Sequence, residues 1–456
     1  MTHPRAAQTT SSRLRRLAPF LLLSLLSPGC GGGGGEPPPP VVHQSQAPSC
    51  ADLVGDGDPR LLFSHRLIDP EAVSAAVVLG DMDPSSPQET LNFEQGMYVP
   101  VNTPLSAPTD IYVEAIVRSD HADVSDWGIA YHVCSVLGED GVRRPGVHGN
   151  FAHVTTLPPT LQALFDAELA AFEGGLTSAV ACSSGGCDLN LNRMRDNLGD
   201  PDYVLVVAAG ASLGTAGPID GVGPAGVDTN LLDRRMNDGA GNAYINPNRL
   251  GAEEGHGVGW RYGACFYEYF PAETRDAYLA KIRVLDEPRV SATTPCGTLD
   301  VDVANSPAGV WATSTIADQS MSADFDGAAL DQYLGQVVVL ADHYARPDTH
   351  MMISTSLPGL AQLGEAVYAM EFEKSAADSV DAEDYVNLDF AQAEAGPIHC
   401  YAGTRVGAVE AVYYLLQLAP DGDALTIERV ETDCRATPAA ERAFSEAGDG
   451  YVQLTR

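Results

Sequence analysis

The apolar run from Tyr203 to Ala208 leads into Gly210-Ala211-Ser212-Leu213-Gly214. A serine in G-x-S-x-G spacing after a strand can sit on a sharp elbow that lifts a nucleophilic hydroxyl out of a sheet. That elbow needs a helix directly behind it. Gly217, Pro218, Gly221, Gly223, Pro224 and Gly226 follow instead, and such a stretch does not hold a helix. Acid and base residues lie downstream, for instance Asp238 and His256, but the strand–helix alternation of a hydrolase sheet is missing. Ser212 is thus a candidate nucleophile without its required context.

The 11 histidines are scattered. His153 lies in Asn150-Phe151-Ala152-His153-Val154, His256 in the glycine-rich stretch Gly255 to Trp260, and His343 and His350 flank Pro347 and Asp348. A glycine-rich stretch with one histidine reads as a surface loop. A spacing of seven does not place His343 and His350 on one strand face, so a turn is expected there. Asp52, Asp56 and Asp58 around Gly55 and Gly57 offer oxygens of the kind calcium takes. Their spacing is not that of the twelve-residue calcium loop, and Asp–Gly clusters also make turns.

The elements around these residues are mostly short strands. Val73 to Leu79, Ile111 to Val117, Trp127 to Val133, Tyr203 to Ala208 and Ala243 to Ile245 read as strands. Leu161, Leu164, Phe165, Leu169 and Phe172 follow Pro158 and Pro159 at helical spacing, and Gly174 and Gly175 end that helix. A second helix is expected after Pro271, with Tyr278, Leu279 and Ile282 on one face. Beyond Pro295, strands recur at Val310 to Thr313, Gln336 to Leu340, Val367 to Phe372, Ile398 to Tyr401, Val409 to Leu418 and Leu425 to Val430. Pro420 to Asp423 supply a hairpin turn between the last two. The pattern predicts a mainly β (α+β) protein whose C-terminal part is a β sandwich or small barrel.

The first 40 residues are of another kind. Arg5, Arg13, Arg15 and Arg16 precede the apolar run Leu17 to Leu26, then Ser27, Pro28, Gly29, Cys30, five glycines, Glu36 and Pro37 to Pro40. A basic start, a short apolar centre and small residues before a break form a secretory signal, too short to span a bilayer. The segment resembles a bacterial lipoprotein signal, which implies cleavage before Cys30 and a lipid anchor on it. The glycines and prolines behind it form a tether.

Composition agrees with export. The 456 residues carry 61 acidic and 26 basic side chains, a formal net charge of −35. That charge repels nucleic acid and anionic lipid. Hydrophobic residues make up 45%, enough for a folded core. Nine cysteines less Cys30 leave eight, an even set in a compartment where disulfides persist. Eight cysteines allow 105 pairings. Local pairing gives Cys182 with Cys187, Cys265 with Cys296 and Cys400 with Cys434, and Cys50 with Cys134 remains.

A family resemblance spans roughly residues 65 to 250. The apolar strand, Gly210 and then Leu213-Gly214-Thr215-Ala216-Gly217 resemble the V-x-x-G-x-x-L-G-x-x-G turn of lysostaphin-type zinc peptidases. Tyr98 to Asp110 resemble the strand that runs into that family's Asp-containing turn, with Ile111 in place of its glycine. Asn150 to Val154 look like its aromatic-x-His element, and Tyr244-Ile245-Asn246-Pro247 like its closing strand end. The resemblance implies a β-sheet scaffold of enzymes that cut peptidoglycan cross-links. Its zinc ligands do not carry over. The early window Glu89 to Gln95 and the late window Gly226 to Asp233 hold no histidine. Only His153 matches, at a position that assists catalysis in the family. Asp228 and Asp233 could stand in as metal ligands beside His153, although an oxygen-rich set suits calcium or magnesium better than zinc. Cys265 to Phe270, Cys296, Trp311, Val386 to Phe390, His399 to Tyr401 and Leu425 to Cys434 continue the resemblance into exported bacterial proteins with an appended β module.

These readings predict a signal over 1–29, a tether over 30–60, a peptidase-like β domain over 61–250, a helical connector over 251–294, a β domain over 295–436 and a tail over 437–456. The expected role is a non-catalytic binding or structural module of the cell envelope, lipid-anchored at the outer membrane or else periplasmic or extracellular, with peptidoglycan or another envelope component as partner and no cofactor unless zinc. The alternatives are an active metallopeptidase with divergent zinc ligands, or a hydrolase using Ser212.

Overall fold

A computed structural model describes residues 41–42, 47–54, 58–82, 90–120, 125–138, 141–183, 185–200, 203–218, 225–250, 256–284, 287–289, 291, 293–316, 332–361, 368–376, 378–406, 408–445 and 450–456. The signal segment with Cys30, the residues Asp56 and Glu89, and most of the glycine–proline tether lie outside these. Among the described residues no helix is long and apolar enough to cross a membrane.

The chain is mainly β and builds two strand systems. Twelve strands form one large sheet: β1 (Val41–Val42), β2 (Ala75–Ala76), β3 (Gln95–Tyr98), β4 (Pro104–Ser106), β5 (Ile111–Asp120), β6 (Ser125–Leu137), β7 (Arg143–Thr156), β8 (Val180–Ser183), β9 (Gly186–Asn190), β10 (Leu205–Val207), β11 (Ser212–Pro218) and β12 (Ala225–Asp233). The path across it runs β1, β10, β5, β6, β7, β11, β12, β3, β2. Its centre is the long antiparallel pair β6–β7, with β5 on one side and β12 on the other.

Along β12 burial alternates. Val227, Thr229, Leu231 and Asp233 are buried, whereas Asp228, Asn230 and Leu232 are partly exposed. Period-two alternation means one face meets the core and the other does not. An aromatic layer supplies that core. Phe63 packs on Phe266 and Phe270, with ring centroids 5.1 and 5.0 Å apart, and Tyr278 lies 5.2 Å from Phe270. The helix Pro159–Glu173 buries Leu161 and Phe165, and Phe165 meets Trp127 edge-on at 4.9 Å.

A short two-stranded ribbon, β13 (Arg283–Val284) and β14 (Glu287–Pro288), precedes the second system. That system is a closed barrel: β15 (Gly309–Thr313), β16 (Val337–Asp342), β17 (His350–Thr355), β18 (Tyr368–Glu373), β19 (His399–Arg405), β20 (Ala411–Leu418), β21 (Ala424–Val430) and β22 (Tyr451–Thr455). Of the two architectures expected for this part, the chain adopts the barrel. Trp311, Met351, Phe372, Phe390, Tyr401, Tyr414 and Ile427 are among the side chains that fill it, as eight strands leave an interior of about one side-chain layer. Residues 437–456, expected as a tail, contain β22, which pairs with both β21 and β15 and closes the barrel. The last residue, Arg456, lies over the Trp311 ring at 4.2 Å.

Several local expectations change. Val73 to Leu79 narrows to the two-residue strand β2. Ala243 to Ile245 is a loop, because its amides donate to side chains rather than to a neighbouring strand: Ala243 N to Asp300 at 2.6 Å and Ile245 N to Asp302 at 2.8 Å. His256 opens the helix His256–Tyr262 instead of a surface loop. Its glycines permit close approach. A Cβ on Gly257 would meet the Leu250 backbone at 2.0 Å, and one on Gly259 the Phe93 ring at 2.5 Å. Trp260 is fully buried there and donates Nε1–H to the Leu91 carbonyl. His343 sits in a turn, as its spacing implied, with Nδ1 accepting from Ala345 N at 2.9 Å. Asp58 likewise makes a turn, accepting from Arg60 N.

Four disulfides hold this architecture: Cys50–Cys134, Cys182–Cys187, Cys265–Cys296 and Cys400–Cys434. These are the pairs that local reading gave. Four disulfides fit an exported protein. The first one ties part of the segment expected as tether to the sheet, since Cys50 opens the helix Cys50–Val54 and bonds to β6. It closes a separation of 84 residues, the largest of the four. By loop-closure entropy, the double substitution Cys50→Ala/Cys134→Ala should lower unfolding free energy by about 4 kcal/mol. Urea denaturation of the two proteins checks this.

Candidate functional site

The strongest polar constellation surrounds His153. The residue lies on β7 at a break in the β6–β7 ladder. Trp127 pairs with Val154 and Ile129 with Phe151, so Gly128 alone faces both Ala152 and His153. That is a β-bulge, and it re-aims the bulged side chain. His153 has φ +60°, in the left-handed region that costs a residue with a Cβ roughly 1 kcal/mol or more.

The re-aimed ring falls between two strands. Nδ1 meets Asp126 Oδ2 at 2.6 Å, and Nε2 meets Asp228 Oδ2 at 3.1 Å. Asp126 is at the start of β6 and buried, and Asp228 lies on β12 opposite Ala152. The three side chains are only 15%, 8% and 24% exposed for His153, Asp126 and Asp228. Burial by itself would lower the imidazole pKa. The hydrogen bonds and charges of Asp126 and Asp228 outweigh it and raise the pKa to about 10. At neutral pH His153 is therefore an imidazolium with both N–H groups donated.

Room for this arrangement comes from Gly96 on β3. A Cβ there would sit 2.7 Å from Asp228 Oδ1. Beside the triad, Asn230 Oδ1 accepts from Asn150 N at 2.9 Å.

Asp233 belongs elsewhere. Five residues beyond Asp228 on the same strand, it is roughly 16 Å away along the strand and points to the opposite face. It is buried and pairs with Arg235 at 2.9 and 2.7 Å, and Tyr269 O–H donates to it at 2.6 Å. The structure thus joins His153 to Asp228 and separates it from Asp233. Among the described residues no group of three or more His, Cys, Asp or Glu side chains converges as metal ligands. In the early window Gln95 is buried, accepting from Phe266 N at 2.7 Å and donating to Cys296 Sγ.

Ser212 opens strand β11 rather than an elbow before a helix, and its hydroxyl accepts from Gly214 N at 3.2 Å. The side chain is exposed at the strand start, and β11 runs on from it as a strand, in line with the glycine- and proline-rich sequence behind it. Asp110 accepts from Ala209 N at 2.8 Å, joining two of the turns that carried the family resemblance.

Spacing in the sequence did not reveal Asp126, Glu114, His132 or His148. Glu114 Oε1 meets His132 Nδ1 at 3.0 Å, and His132 pairs across the strands with His148. Burial lowers the His148 pKa to about 4, so that ring is neutral. The alternation of β6 was the available signal, since it puts His132 on the face opposite Tyr131.

No protein-family model matches the chain, and no curated protein matches it. Among solved structures, the solution structure of lysostaphin is similar at a TM-score of 0.15 and 10% identity, covering 63% of this chain and 84% of that one. Likeness this slight carries no argument about fold or activity.

Two measurements follow from the triad. The unfolded imidazole titrates near 6.5. The stabilisation from His153 is thus complete below that pH and is lost as pH rises toward about 10. His153→Gln should cost about 3 kcal/mol at pH 6 and progressively less toward pH 10, read from denaturation at each pH. Gly96→Ala should push Asp228 off the ring and lower the His153 pKa by at least about 1 unit, read by imidazole NMR titration.

Proposed function

We propose that this is an exported envelope protein whose sheet domain binds rather than cuts. The observation that carries the reading is the doubly hydrogen-bonded imidazolium of His153. The residue at the position of a peptidase's catalytic histidine is spent on a structural charge triad. The sequence elements that resemble lysostaphin-type peptidases support a scaffold for peptidoglycan or a similar envelope polymer. The missing histidines in both ligand windows support the loss of zinc chemistry. The signal-like N-terminus supports a lipid anchor on Cys30, placing the domain at the outer membrane. The net charge of −35 argues against nucleic acid as partner.

The test uses protein purified without chelator or added metal. Zinc well below one equivalent is expected, together with no release of muropeptides and measurable sedimentation with peptidoglycan sacculi. Intact-mass analysis should find acylated Cys30 at the N-terminus. About one equivalent of zinc, with cleavage abolished in His153→Ala, would overturn the reading in favour of an active metallopeptidase.

A further inference from the structure

The four disulfides are not equally sheltered. Cys50, Cys134, Cys265, Cys296, Cys400 and Cys434 are all buried, so three of the bonds have no exposed residue at either end. The fourth bond is asymmetric. Cys187 is buried, whereas Cys182 is exposed.

The hairpin β8–β9 creates that asymmetry. Cys182 and Cys187 lie directly opposite one another beside its turn. The outer side of the turn is open, since a Cβ on Gly185 would meet nothing within 4 Å among the described residues. The inner side is closed by β5, which pairs with β9 from Asn190 to Gly186. Arg118 of β5 stands opposite Cys187 in that ladder, and its guanidinium donates to Cys187 Sγ at 3.8 Å. The same nitrogen meets Asp120 at 3.1 Å, which holds the guanidinium in place.

Thiol–disulfide exchange makes different demands on the two sulfurs of a bond. The entering thiolate attacks along the S–S axis and needs an accessible sulfur. The leaving sulfur carries the charge away and departs faster where a cation stabilises its thiolate. Cys182 has the access and Cys187 has the guanidinium.

We propose that Cys182–Cys187 is a thiol-exchange site for a dithiol partner, entered at Cys182 and left at Cys187. One thiolate of the dithiol bonds to Cys182 Sγ. The Cys182–Cys187 bond breaks, and its electron pair stays on Cys187 Sγ beside Arg118. The second thiolate of the dithiol then attacks the dithiol's own sulfur in the mixed disulfide, which releases Cys182 as a thiolate. The dithiol ends oxidised to a disulfide, and the two electrons it lost have reduced the hairpin pair. Opening this bond costs the fold the least, because its separation of 5 residues is the smallest of the four. Strand β9 keeps its pairing with β5, while β8 is held to the sheet through β9. The exchange thus frees an edge strand without opening the sheet. It uses none of the residues on which the peptidoglycan reading rests.

The experiment treats the folded protein with dithiothreitol or reduced glutathione at mildly alkaline pH, quenches with acid, alkylates, and maps each cysteine by peptide mass spectrometry. Dithiothreitol should open Cys182–Cys187 at least about tenfold faster than any other pair. Glutathione, a monothiol, should leave its early adduct on Cys182 with Cys187 free. Arg118→Gln should slow the opening by roughly threefold or more, and Arg118→Lys, which keeps the charge, should slow it less. Another pair opening as fast, an early adduct on Cys187, or an unslowed and folded Arg118→Gln would each overturn the proposal. Thermal melts establish that each variant is folded, and the adduct position is read on the parent protein without any substitution.

Discussion

A wide antiparallel sheet can bury one face only as well as the rest of the chain can cover it. Here the cover is the aromatic layer of Phe63, Phe266, Tyr267, Tyr269, Phe270 and Tyr278, packed on the core-facing side chains of β6, β7 and β12. The connection between sheet and barrel thus does more than join them. The segment from Cys265 to Leu279 supplies most of that layer, and Cys265–Cys296 pins it. Gln95 and Tyr267 finish the polar account on the covered side. Tyr267 O–H donates to the Gly96 carbonyl, and Gln95 satisfies the Phe266 amide. With one face so occupied, the His153 triad lies on groups that alternate away from this core.

The sequence carried much of this architecture and little of its site. Strand-like runs at Ile111 to Val117 and Trp127 to Val133 marked β5 and β6, and the spacing of Leu161, Phe165 and Leu169 marked the helix behind β7. Those signals are local, since burial of one face is written into neighbouring residues. His153 was also visible, because its flanking residues resembled a known element. Its partner Asp126, 27 residues earlier, was not. The contact depends on where the β6–β7 ladder slips by one residue, and no local pattern specifies a bulge.

Glycine misled in one place for a physical reason. Gly255 to Gly259 reads as loop by composition. In the fold the glycines at 257 and 259 instead let a helix lie against Leu250 and Phe93 without side chains between. Local propensity predicts loop because it counts the entropy cost of glycine. Burial of Trp260 beneath that helix offsets the cost, and this gain is tertiary.

The His153 triad is better understood as a device for register than as a source of stability. A buried ion pair gains little over apolar packing of equal volume, because removing charges from water costs about what their attraction returns. Yet the triad has a geometric demand that apolar packing lacks. Asp126, His153 and Asp228 come from three strands, and both ring nitrogens are satisfied only when β6, the bulge and β12 are in their observed alignment. A slip of one residue in β12 would turn Asp228 into the core and leave a cation with a single partner. The left-handed backbone at His153 adds to the same selectivity, because it is tolerated only where both hydrogen bonds repay it. The constraint that makes the outer face of the sheet a defined surface is thus shared among three side chains from three strands.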